Sequence, residues 1–284
     1  MSRINPLVFL GFLILSGYLS VALAERNEPK RPLWEAGFAG GILSTPQYIG
    51  SDQRYTLPLG IPYLVYRGNF LKADREGVRG EFVHQKKYAI DLGFSFGLPV
   101  NNNNKARQGM PDLHLSGQVG PRFNWFFTTD HPALEASFHW PLRYARDIKN
   151  NDLGWVTEPS VRLERKNLGA ANRYTLRADL GLLYASRQYH QYYYGVAEPF
   201  STSSRAAYDA ESGLHSYFIN VSGRYRQSET LRLGAFVRWK TMASSVVRDS
   251  PLVKDKNYWV IGMGLTWIFK KSTRYASDPI PDTD

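Results

Sequence analysis

Residues 173–184 read RYTLRADLGLLY. Tyr174, Leu176, Ala178, Leu180, Leu182 and Tyr184 share one parity, while Arg173, Thr175, Arg177, Asp179, Gly181 and Leu183 share the other. A β-strand sends successive side chains to opposite faces, so this segment predicts a strand with one apolar face and one face that accepts ions. A half-buried strand of a soluble sandwich alternates in the same way, and recurrence along the chain has to separate the two. The pattern does recur. In 231–240, Leu231, Leu233, Ala235, Val237 and Trp239 oppose Arg232, Gly234, Phe236, Arg238 and Lys240. In 155–164, Val161 and Leu163 oppose Glu158, Ser160, Arg162 and Glu164. In 133–144, Leu134, Phe138, Trp140, Leu142 and Tyr144 oppose Glu135, Ser137, His139 and Arg143. Twelve strands are predicted, at 34–43, 56–66, 69–74, 77–83, 88–96, 113–127, 132–144, 154–166, 172–187, 214–226, 230–243 and 257–269.

The gaps between them alternate in length. Those at 67–68, 84–87, 128–131, 167–171 and 227–229 are short, those at 44–55, 97–112, 145–153, 188–213 and 244–256 are long, and the 75–76 turn breaks the order. Short turns at one end and long loops at the other are the layout of an outer-membrane barrel. Trp34, Tyr66, Phe70, Tyr88, Trp125, Tyr174, Tyr225 and Trp267 fall near the short-turn ends. Trp140, Tyr144, Trp155, Tyr184, Tyr217, Trp239 and Trp259 fall near the long-loop ends, so two aromatic girdles match two membrane interfaces. The expected fold class is all-β: a transmembrane antiparallel up-and-down β-barrel of about 12 strands. It occupies residues 25–269, with both termini on the periplasmic side. Closing the sheet leaves no unpaired edge in hydrocarbon.

The N-terminus fixes the compartment. Arg3, the apolar run 7–19 and Ala22-Leu23-Ala24 have the layout of a cleaved signal peptide over residues 1–24. The mature chain then starts near Glu25 with 260 residues, and loss of Arg3 takes the net charge from +10 to +9. No later run approaches the roughly 20 apolar residues of a membrane helix. The chain has no cysteine, which excludes thiol nucleophiles and thiolate metal sites and leaves an exported protein without disulfides. A basic balance in an exported chain points to anionic lipid headgroups, including lipopolysaccharide, or to cell-wall carboxylates, and not to nucleic acid. Residues 270–284, KKSTRYASDPIPDTD, form a polar tail with the character of a disordered segment.

The candidate chemistry is that of the polar face. Arg122, Glu135, Arg143, Glu158, Arg162, Glu164, Arg173, Arg177, Asp179, Arg224, Arg232 and Arg238 all fall on it, as do Glu35, Asp91 and Lys240. Two readings stand: interleaved opposite charges filling a narrow barrel, or an ion-selective pore. Tyr189, Tyr192, Tyr193 and Tyr194 in the 188–213 loop form either a binding surface or a packing contact on the rim. Asn101–Asn104 reads as a solvated loop tip. His114 and Ser116 share the polar parity, yet no third group orients the pair, and the adjacent His215 and Ser216 are expected to face opposite ways. No metal-ligand spacing and no cofactor-binding motif occurs.

The segment WEAGFAGGILSTPQYIGSDQRYTLPLGIPYLVYRGNFLKADREGVRG at 34–80 resembles the MipA/OmpV family of outer-membrane proteins. Tyr48-x-Gly50-Ser51-Asp52 and the Arg67-Gly68 to Arg79-Gly80 segment carry it, with YYYGV at 192–196 and DSPLVKDKNYWVIGMGLTWIF at 249–269. The resemblance covers nearly the whole mature chain and implies a barrel without catalysis of its own. It further implies a scaffold for murein synthesis that binds a lytic transglycosylase and a penicillin-binding synthase, while other members are described as porins or adhesins. One departure is the tail beyond Phe269, where family barrels usually end on the last strand's aromatic residue. The function expected is therefore scaffolding, with a narrow channel or a surface adhesin as alternatives.

Overall fold

The computed structural model describes residues 32–67, 71–74, 77–85, 87–101, 103–127, 133–169 and 171–275. The expected signal segment 1–24, the end of the expected tail, 276–284, and residues 69–70 of the third predicted strand lie outside the described residues. Thirteen strands form one sheet among the described residues. They are β1 (Trp34–Pro46), β2 (Arg54–Arg67), β3 (Leu71–Asp74), β4 (Gly77–His84), β5 (Tyr88–Gly97), β6 (Ser116–Phe127) and β7 (Leu134–Asp147). Then follow β8 (Asp152–Thr157), β9 (Ser160–Leu168), β10 (Tyr174–Ala185), β11 (Gly213–Arg226), β12 (Leu231–Thr241) and β13 (Asn257–Lys271). Every ladder is antiparallel. β10 pairs with β11, β12 with β13, and β13 with β1, so the pairings run in a closed ring.

β8 and β9 are two halves of one predicted strand. Pro159 lies between them and has no N–H for a ladder, so the upper half pairs with Leu142–Arg146 of β7 and the lower half with Leu134–His139. Counted as one wall position, they give the twelve expected. β6 begins at Ser116, later than expected, because Leu113 instead bridges Val100. β10 ends at Ala185, because Ser186 caps a helix, α1 (Arg187–Tyr194), inside the long 188–213 loop. The first and last described residues meet at the short-turn end, where Pro32 bridges Tyr275 and Leu33 N donates to Arg274 O at 2.8 Å. The first residues of the expected tail thus extend the seam between β1 and β13.

The alternation is realised as an inside-out barrel. On β10, Leu176, Leu180 and Tyr184 are exposed, Leu180 by 61%, while Arg177 and Asp179 between them are each 3% exposed. On β9, Val161 and Leu163 face outward, and Arg162 and Glu164 are buried. Lipid receives the apolar face, where an Arg at mid-depth costs roughly 2–4 kcal/mol. The lumen receives the ions.

The wall is uneven. Gly41 stands opposite Gly264, which in turn stands opposite Gly234 on β12. A Cβ on Gly41 would lie 2.4 Å from Met263 O, and one on Gly264 2.6 Å from Gly40 O. Glycine is required where two backbones approach this closely. At these glycines β1 and β13 add little volume to the lumen, whereas β6 to β10 and the Arg232, Arg238 and Lys240 side chains of β12 fill it with long charged groups.

Candidate functional site: a charged lumen under a tyrosine plug

Lumenal charges pair first between neighbouring strands. Arg122 forms a two-pronged bridge to Asp91 across β5 and β6, at 2.8 and 2.9 Å. Arg162 Nε donates to Asp179 Oδ1 at 2.5 Å, and Asn220 Nδ2 holds the other oxygen at 2.8 Å. Arg177 binds Glu164 through Nε at 2.7 Å and also through Nη2. Arg224 and Lys166 stand 3.7 Å from the same Glu164, and Lys166 Nζ reaches Glu135 at 2.6 Å. Arg232 joins Glu35 at 3.1 Å, with the Tyr63 hydroxyl as a shared partner.

Glu158 sits at the Pro159 break and reaches across to β12. Arg238 Nη2 binds it at 2.5 Å, and Lys240 Nζ lies 3.6 Å from its second oxygen. Arg143 donates through Nε to Gln118 Oε1 at 3.2 Å. Arg173 is placed differently from the rest: it precedes β10 and is exposed at the short-turn rim.

The outer mouth is closed by α1. Its Tyr189, Tyr193 and Tyr194 are buried, and Tyr192 is half-buried. The loop is therefore turned into the barrel, and these rings make an internal contact, not a surface presented outward. Spacing accounts for most of it: positions i, i+3 and i+4, here Tyr189, Tyr192 and Tyr193, lie on one side of a helix. Tyr194 Oη donates to Ile49 O at 2.8 Å and meets His215 Nε2 at 2.8 Å. Tyr193 Oη meets Ser116 Oγ at 3.2 Å, and Tyr192 Oη accepts from His114 N at 2.7 Å. Arg107 donates to Tyr193 O and Arg205 to Ala106 O, so the loops interlock through backbone carbonyls. Burial pushes the Tyr193 and Tyr194 phenols up and the Arg107 guanidinium down from their ordinary values. Burial also lowers His190, against the opposing pull of the Glu211 carbonyl that its Nδ1–H reaches at 2.5 Å.

Two sequence expectations are corrected. Asn104 is not a solvated tip. It is 1% exposed, caps residues 105–107 through Ala106 N, and donates to Gln47 and Ser51. His215 and Ser216 do not face opposite ways, because the register of β10 and β11 shifts there and leaves both buried, with Nδ1 and Oγ 3.0 Å apart. His114 precedes β6, and Ser116 is engaged by Tyr193, so the two form no pair.

A different chain of polar groups escaped the sequence reading. Ser137 Oγ meets His139 Nε2 at 2.9 Å, His139 Nδ1 meets Asn124 Oδ1 at 2.7 Å, and Asn124 Nδ2 donates to Asp91 at 3.2 Å. Parity alone put Ser137 and His139 on one face, but the β6–β7 register that brings Asn124 opposite His139 is not written in either strand. Ser137 is buried and does not line the lumenal cavity, so the chain of bonds tightens the wall without presenting a nucleophile. Among the described residues no His, Asp and Glu grouping suits a metal.

The family model described as "MltA-interacting protein MipA" matches residues 38–269. OmpV, an outer membrane protein of Vibrio cholerae, is 27% identical over 244 residues, spanning 82% of this chain and 86% of that protein. The outer membrane protein Omp26La of Vibrio anguillarum is 24% identical over 240 residues, spanning 81% and 84%. YiaT of Escherichia coli K12 is 26% identical over 172 residues, 60% of this chain, and the match spans 64% of the length of YiaT. Among solved structures, a loop-deleted OmpT of Vibrio cholerae aligns over 84% of this chain and 100% of its own, at 10% identity and a TM-score of 0.34.

Proposed function

The chain belongs to the MipA family of outer-membrane β-barrels, and from that premise we propose that it is a docking platform for murein-processing enzymes. The expected partners are a murein lytic transglycosylase and a penicillin-binding synthase, the first in keeping with the family's description as MltA-interacting. The observation that carries this reading is the short-turn end. Lys87, Arg165, Arg173, Arg226, Lys270 and Arg274 are exposed there, around the seam where Pro32 bridges Tyr275. A cationic rim of this kind steers and orients an acidic partner surface. On this reading the rim faces the periplasm and both termini lie there. Ion pairs across the lumen and tyrosines in its mouth suit a barrel that is not built for flow. The inward turn of the tyrosines leaves an adhesin without its aromatic surface.

The test is photo-cross-linking in cells, with the reactive residue placed at Arg173 or Arg226, followed by mass spectrometry. Enrichment of a lytic transglycosylase or a penicillin-binding synthase over an unrelated barrel is expected. Recovery of lipopolysaccharide and other barrels alone would contradict the reading.

A further inference from the structure

Beneath the plug the lumen encloses a cavity of about 320 Å³, at the small end of the range for small-molecule sites. Arg122, Arg143, Arg162, Arg238 and Lys240 line it, against one lining carboxylate, Glu158. Arg122 and Arg162 have carboxylates of their own in the wall, Asp91 at 2.8 Å and Asp179 at 2.5 Å. The other three cations share Glu158, which Arg238 holds at 2.5 Å, Lys240 faces at 3.6 Å and Arg143 feels only through its field. Among the described residues this lining thus carries two more cations than carboxylates that answer them, and surplus charge in a barrel interior is costly.

Hydrogen-bonding capacity points the same way. Arg143 uses Nε on Gln118, and its two terminal amino groups find no acceptor among the described residues. The Tyr258 hydroxyl, on a residue 2% exposed, has no hydrogen-bond partner among the described residues and belongs to the same lining. Leu43, Phe236 and Val260 form an apolar side of the cavity.

We propose that this cavity binds a small organic dianion. Its carboxylate or phosphate oxygens take the open donors of Arg143, Lys240 and Tyr258, and its apolar body rests on Leu43, Phe236 and Val260. The ligand neutralises the surplus charge and supplies the missing acceptors through charge-assisted bonds, the strongest kind available there. The inference does not depend on the docking reading, because the cavity lies inside the barrel and the cationic rim at its short-turn end.

The test is calorimetry on the refolded full chain in zwitterionic detergent at low salt, with phthalate, a benzene ring bearing two carboxylates, as the probe. Saturable one-to-one binding is expected, absent for the neutral dimethyl ester. Arg143→Gln and Lys240→Gln should each weaken it about tenfold or more. Tyr258→Phe should weaken it by a smaller factor, and it keeps the test open should either charge variant fail to fold. Inorganic phosphate should bind more weakly at the same residues; equal or tighter phosphate binding would overturn the role given to the apolar side. No saturable heat with either anion, or heat matched by sodium chloride at equal ionic strength, would overturn the site. Phthalate binding unchanged in all three variants would do the same.

Discussion

Between β9 and β10, the buried arginines stand directly across the ladder from carboxylates: Arg177 opposite Glu164, and Arg162 opposite Asp179. Under the plug, the cations of β12 have no such neighbours. Arg238 stands opposite Val260 and Asn220, and Lys240 opposite Tyr258 and Phe218. Their carboxylate, Glu158, has to come from across the lumen, and one serves for both. The first region is a paired interior and the second a cationic cavity, although both are written with the same residue types at the same parity. What separates them is register. Charge balance in a barrel is decided by which strand lies beside which, and composition does not record it.

The sharpest break of the paired region is Arg177→Leu, which strands a carboxylate buried to 2% exposure with two partners at 3.7 Å. A loss of about 3–5 kcal/mol is expected, read from urea unfolding in lipid vesicles. Leu180→Arg on the opposite face of the same strand should cost about 2–4 kcal/mol by the same assay, confirming which solvent each face meets. In the plug, Tyr194→Phe removes the hydroxyl held by Ile49 O and His215 Nε2. Amides of residues 187–194 should then exchange faster, by about 1–3 kcal/mol of local stability.

A gentler lever on the plug is pH. The docked His190 ring has its pKa lowered by burial, so an undocked plug takes up a proton that the docked one refuses. Docking is then fully stable above the ordinary imidazole value and weakens as pH falls through it. Exchange of the same amides, corrected for intrinsic rates, should be faster at about pH 5 than at about pH 7.5. The smallest effect is expected in the cavity. Lys240→Gln leaves Glu158 with Arg238 at 2.5 Å and removes surplus charge. Stability should change by less than about 1 kcal/mol, or rise. A loss as large as that of Arg177→Leu would erase the distinction between the regions.

Much of the architecture was legible in the strands. Parity gave the wall positions and both faces, because side chains on a strand alternate whatever their neighbours do. The break at Pro159 was visible as a residue but not as a consequence, since the matching strand ran through it. The helix at Arg187–Tyr194 was hidden inside a loop, although the spacing of its tyrosines is helical. Of the charges on the polar parity, Arg162, Glu164, Arg177 and Asp179 are buried, while Arg173 is exposed at the rim. Their partners were not legible, because periodicity fixes a face and leaves height and angle around the barrel open. Glu158 meeting Arg238, 80 positions away, is of that kind. Asn104 and the His215 bulge were missed for a related reason: both depend on loops meeting over the mouth.

The claim that joins these regions is that ion pairs and a tyrosine plug occupy the lumen of this outer-membrane barrel. Single-channel recording in planar bilayers tests it most directly. The wild-type protein should be silent, and a variant lacking the loop residues 188–212 should pass current. A steady ohmic conductance from the wild type, unchanged when that loop is removed, would contradict the account.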